Sequence, residues 1–185
     1  MSVTLSWDLF VIVFFAIVIA YSFIIGKRES VKIIIATYIA IITVQGLGNI
    51  LERLLGQSAT VLETIGIPFD VSFFATIKLL LFIAVIIAIA IRAGIEVKYL
   101  KEPRWIINTA LSGLFGFASA GLLLSTVLTY VAGTPLLDQS APSSAPLLPI
   151  VQQSPLMETL ALHQDFWFAL PALLILVAGI MSNKQ

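Results

Sequence analysis

The chain has no cysteine, a single histidine and little charge. Only 11% of its 185 residues are Asp, Glu, Lys or Arg, less than half the ~25% of an ordinary soluble domain. Without cysteine there is no disulfide, no thiol nucleophile and no cysteine-ligated cluster. One histidine, His163 in LALHQDFW, together with scattered carboxylates, does not make a zinc set. No glycine-rich phosphate cradle is present, and Ser119 in GFASAG does not match the nucleophile elbow. The residues therefore point to no cofactor, no metal and no enzyme. Net charge is zero and no cationic run is long enough to follow a phosphate backbone, so nucleic acid is not an expected partner.

What is abundant is apolar surface. Hydrophobic residues make up 59% of the chain and mean hydropathy is +1.08, too much to coat with water. The expected partner is a lipid bilayer, and the fold class is an all-α integral membrane protein in one domain, 1–185. Four apolar runs are long enough to cross: 9–25, 33–51, 71–91 and 105–133. The last is 29 residues without a charge, about 43 Å of helix against a hydrocarbon core of about 30 Å. Part of it should bend or project. A fifth run, 166–181, is short and holds Pro171. Its Phe166, Trp167 and Phe168 suit the outer interface, and the reading taken is a short fifth span. The alternative is a helix that turns back or lies along the outer face.

The cations set the direction. Lys27, Arg28 and Lys32 separate the first two runs, and Arg92, Lys98, Lys101 and Arg104 separate the third and fourth. By the positive-inside rule both hinges are cytoplasmic and the N-terminus is outside. The first run lacks the basic start of a signal peptide and reads as a retained anchor. Between the fourth and fifth runs, 134–158 carries five prolines and several serines, which predicts a non-helical outer loop. Composition favours a connector over a partner-binding arm. The segment 56–70 is a shorter outer loop in which TVLETIGI forms an interfacial turn.

A few polar groups interrupt the apolar phase. Lys78 is the costly one, and its stem is expected to snorkel to the outer face, with Asp8 the carboxylate best placed to pair with it. Gln45 and Asn49 share a helix face and complete a polar cluster with Lys78 and Asp8. Interhelical hydrogen bonding is the plain use of these amides; one wall of an outer vestibule is the other. Ser112, Gly116 and Ala120 recur every four residues, with Gly113, Ser119 and Gly121 beside them. This small face predicts close helix packing within the chain first and a homo-oligomer contact second.

The opening WDLFVIVFFAIVIAYSFIIGKRESVKIII resembles the start of the CvpA family, the colicin V production proteins of bacterial inner membranes. Asp8 stands before the first helix, and Gly26, Arg28 and Glu29 stand at the turn, with Gly26 one residue closer to the Arg-Glu pair than in the family's pattern. Ser112, Gly116 and Ala120 fall where the family's fourth helix has spaced glycines. Asn108 and Thr109 replace its Asp-Arg pair, and Ser154–Leu156 is similar to its later Ser-containing segment. The resemblance implies a polytopic inner-membrane protein in toxin production or export and envelope maintenance. Its partners would be other membrane proteins of a secretion or envelope system. It brings no catalytic residues. From the residues themselves, a small transporter or channel subunit is the alternative, as is a subunit of a larger membrane complex.

Overall fold

The computed structural model describes residues 6–56, 71–92, 105–132 and 154–182, and every regular element among them is a helix. We label them α1 (Trp7–Gly56), α2 (Val71–Arg92), α3 (Trp105–Ala132), α4 (Pro155–Leu162) and α5 (Gln164–Ser182). Two stretches, Trp7–Leu51 and Asn108–Val131, are long and apolar enough to cross a membrane, and the bent pair α4–α5 makes a third if taken as one span. The expected segments 57–70 and 134–153 lie outside the described residues.

α1 is not straight. Gly26 breaks it with φ +78° and ψ 170°, a region open essentially to glycine alone. Eight residues of continuous helix would separate Ser22 and Ser30 by about 12 Å. Their hydroxyl oxygens are instead 2.6 Å apart, so the chain folds back at Gly26. The expected hinge 27–32 is therefore not a loop. One residue turns the chain, and Lys27, Arg28 and Lys32 ride on the first turns of the returning helix, where Lys32 pairs with Glu29 at 2.7 Å.

α3 is the axle of the bundle. The outgoing arm of α1 runs antiparallel along it: Ser22 meets Ser112 and Gly116, Phe15 meets Phe117, and Val11 joins Leu124 and Leu128. The returning arm supplies Val31, Ile34, Ala40, Ile41 and Val44 to a core shared with Phe82 of α2, Phe115, Leu122 and Tyr130 of α3, and Ala178 of α5. We call the Gly26 end of the molecule the turn end and the Asp8 end the open end.

The long fourth run forms one helix, Trp105–Ala132, of which Asn108–Val131 is the stretch apolar enough to cross. One expectation changes here. The proline-rich stretch is helical at its end: Ser154 caps α4, its side chain accepting the Met157 amide, and Pro155 takes the first helical position. Proline is suited to that position, because its missing N–H would have no partner there. α4 and α5 then meet at a 69° bend around His163.

Candidate functional site

The open end gathers the polar groups, though not in the expected pairs. Lys78 lies across Gly48. A Cβ at position 48 would sit 2.8 Å from Lys78 Cε and 3.3 Å from its Cγ, so the missing side chain is the space the lysine stem fills. Gln45 is half-buried and Asn49 exposed on the same arm, one turn apart around Gly48. Asp8 is engaged elsewhere. Its Oδ1 accepts the Ser154 hydroxyl at 2.5 Å and the Leu156 amide at 3.3 Å. The carboxylate expected to face Lys78 thus caps α4 instead, where a negative charge also favours the positive end of the helix dipole. Asp8, Ser154 and the first amides of α4 form one linked set, tying the start of α1 to the start of α4 across 146 residues.

Below this link, α4 seals the open end of α3. Met157 and Leu160 pack with Val11, Leu124 and Leu128, and the Ser125 hydroxyl donates to the Leu160 carbonyl at 3.2 Å. Trp167 then enters the bundle. A Cβ at Gly121 would lie 1.8 Å from Trp167 Cε3, and the indole has Phe15 and Phe117 at centroid distances of 5.7 and 5.4 Å. Trp167, expected at the outer interface with Phe166 and Phe168, is therefore a buried key in a glycine notch; Phe166 beside it is exposed. A tryptophan flanked by phenylalanines fits an interfacial belt by composition, and only the position of Gly121 distinguishes the two uses.

The small-residue face lies against the outgoing arm. A Cβ at Gly116 would meet Ser22 Cβ at 2.7 Å and the Ile19 Cα at 3.0 Å, a backbone approach that only glycine permits. Ser22 donates to the Ser112 carbonyl at 2.6 Å, and Ala120 is fully buried. Ser30 also reaches the Gly26 carbonyl at 3.0 Å. Two hydroxyl protons thus serve three contacts, and either serine can donate in the bond between them.

Buried hydroxyls run the length of α3. Ser112, Ser119, Thr126 and Thr129 each donate to the carbonyl four residues earlier, which satisfies them within their own helix. Across the bundle the Tyr38 hydroxyl donates to the Phe168 carbonyl, with the Ala172 amide beside it. Pro171, inside the same helix, has no N–H, which leaves the Trp167 carbonyl without its usual donor four residues on. Tyr130 is the exception. Its ring stacks edge-on to Phe82 at 5.5 Å, and its buried hydroxyl has no hydrogen-bond partner among the described residues. His163 is exposed at the α4–α5 bend, its ring nitrogen 3.1 Å from the Thr159 carbonyl. Among the described residues no group of three or more His, Asp or Glu side chains is placed to hold a metal.

Comparison with protein-family models, curated proteins and solved structures finds no match. The open-end link, the Trp167 notch and the Tyr38 bond escaped the sequence reading, since each joins residues far apart in the chain. The Ser-Pro pair at Ser154 was the one local signal, a helix start inside a stretch whose composition reads as loop.

Proposed function

We propose that this is a polytopic inner-membrane protein of five crossings with its N-terminus outside, acting as an accessory or scaffold of a secretion or envelope system, as its resemblance to the CvpA family implies. In this reading α1 crosses twice, as a hairpin turned at Gly26 on the cytoplasmic side. α2 and α3 cross once each, and α5 is the short fifth span, with α4 at the outer interface. The observation that carries the accessory role is how the interior polar groups are used. The hydroxyls of Ser112, Ser119, Thr126 and Thr129 are spent on their own helix, and those of Ser22, Tyr38 and Ser125 join one helix to another. The first four are satisfied without solute, and the last three hold helices together.

Transport through an outer vestibule is the second reading, and Tyr130 favours it. A buried hydroxyl without a partner costs about 1–3 kcal/mol, and the Tyr130 ring packs on Phe82, which is one helical turn from Lys78. Purification from native membranes with identification of what is retained tests the first reading. A defined membrane partner, with no solute movement in proteoliposomes, supports it. Flux abolished by Lys78→Ala defeats it in favour of transport. The topology is tested separately: cysteines introduced at Lys98 and Ser144 should label from opposite faces, and labelling from one face refutes the crossing pattern.

A further inference from the structure

The zero net charge conceals a separation. Seven of the ten Lys and Arg residues fall in two stretches, 27–32 and 92–104, against the three carboxylates Glu29, Glu96 and Glu102. The first stretch lies at the turn end, and the second, whose residues 93–104 lie outside the described ones, is bordered there by the end of α2 at Arg92 and the start of α3 at Trp105. Gly26 turns the hairpin there, and the Ser22–Ser112 bond places the start of α3 beside it. α2 enters from the opposite end, where Lys78 rests on Gly48, so its terminal Arg92 leads toward the turn.

The border of this cationic end is also informative. Arg28 is exposed just past the Gly26 turn, and just before that turn Ile24 is 83% exposed, with Tyr21 and Ile17 exposed further back along the outgoing arm. Cations therefore sit on the rim of a continuous apolar belt with an aromatic ring just below them. A soluble acidic protein would match the charge and leave the adjoining belt uncovered. A phospholipid matches both, with its acyl chains along Ile17 and Ile24 and its phosphate at Lys27 and Arg28. We propose that the turn end is a binding surface for anionic phospholipid headgroups, centred on Lys27, Arg28 and Lys32. This rests on the membrane reading above and adds to it a preference for one lipid charge.

The test uses the full chain in phosphatidylcholine bilayers containing a trace of spin-labelled phosphatidylglycerol or spin-labelled phosphatidylcholine. The motionally restricted fraction of each lipid is read by electron paramagnetic resonance. Phosphatidylglycerol should associate about fivefold more strongly at low salt, because each cation near the headgroup adds its own attraction. Lys27→Gln/Arg28→Gln/Lys32→Gln should lower that ratio to less than about twofold. Arg28→Gln alone, an exposed position with little bearing on folding, should lower it partway. Arg53→Gln, at the other end of the hairpin, should leave it unchanged. Equal association of the two lipids with the wild-type chain overturns the proposal, as does a ratio that survives the triple substitution. Loss of the preference on adding inorganic phosphate at matched ionic strength also overturns it, in favour of a free-phosphate site. A chain that inserts normally but shows no preference defeats this inference alone; a chain that fails to insert defeats the membrane reading too.

Discussion

The α1 hairpin and α3 are both apolar enough to cross a membrane, yet they occupy opposite places in the molecule. Over an 18-residue apolar stretch of the hairpin only 11% of residues are buried, against 67% for α3. The more hydrophobic element is the more exposed one. In water this would be a folding error. In lipid, apolar side chains lose nothing by facing outward, and helices associate through close approach and hydrogen bonding. α3 takes the centre because its side chains are small or carry hydroxyls: Ser112, Gly116, Ser119, Ala120, Gly121, Ser125 and Thr126 are all buried. Large aliphatic residues such as Ile12, Ile17 and Ile24 face outward from α1.

The hardest way to break this contrast is to make the centre of α3 resemble α1. Gly121→Leu pushes a branched side chain into the space held by the Trp167 ring. Overpacking of this severity should cost about 3 kcal/mol, read as a marked fall in thermal midpoint in detergent. Gly116→Leu should act similarly, because the atoms it meets include the Ile19 backbone, which cannot swing aside. On the other side of the comparison, Ile17→Leu on the exposed face of α1 should change stability by no more than about 0.5 kcal/mol. Equal midpoints for the glycine variants and Ile17→Leu would end the argument that small residues define the centre.

The next test concerns why α1 is a hairpin at all. Nothing lies within 4 Å of a Cβ built at Gly26, so Gly26→Ala meets no clash, and its whole cost is conformational. Forcing alanine to φ +78° should cost about 1–3 kcal/mol. That is enough to open the turn in a fraction of molecules. Spin labels at Leu9 and Leu47 should show a single short distance in the wild-type chain and an added longer component in Gly26→Ala. An unchanged distribution with unchanged stability would mean that contacts along α3, and not the glycine, impose the reversal.

How much of this could be read in advance depends on the range of the interaction. Helices were legible wherever a long apolar run met a charge, as at Arg92 and Trp105, because the hydrophobic length that predicts them is a local quantity. The packing stripe Ser112, Gly116 and Ala120 was legible for the same reason. What it packs against was not, since Ile19 and Ser22 carry no mark of their partner. Gly26 looked like part of a charged loop, because Lys27, Arg28, Glu29 and Ser30 follow it. One glycine in a special backbone region turns the chain without using them. The suggested pairing of Asp8 with Lys78 came from matching depth and charge, and nothing local marked the Ser154 hydroxyl and the Leu156 amide as the groups Asp8 accepts from. Depth restricts which groups can meet; hydrogen-bond geometry decides which do.

That link gives a test of intermediate size. Asp8→Ala leaves the Ser154 hydroxyl and the Leu156 amide without their acceptor and should cost about 1–2 kcal/mol. Asp8→Asn keeps an acceptor oxygen and loses only the charge, so it should recover roughly half, since charge-assisted bonds are about twice as strong as neutral ones. Amide exchange at Leu156 and Met157 should quicken in the order wild type, Asn, Ala. Should exchange there stay constant while other regions respond, Asp8 is not what holds α4 in place.

The smallest effect is expected at Gly48, and it separates a lysine that rests on α1 from one merely near it. Gly48→Ala places a methyl 2.8 Å from Lys78 Cε, which is the far part of a flexible side chain and can move. Alanine also gains up to about 1 kcal/mol over glycine in a helix interior, so the two terms oppose and the net change should stay within about 0.5 kcal/mol. The single variant therefore says little, and the coupling says more. In a Lys78→Ala background the methyl displaces no stem, and the helix gain should appear undiminished. The double-mutant cycle should then give a coupling of about 0.5–1 kcal/mol, in the range found for residues in contact. Additivity to within about 0.3 kcal/mol, the behaviour of independent sites, would mean that the Lys78 stem does not occupy the space Gly48 leaves open.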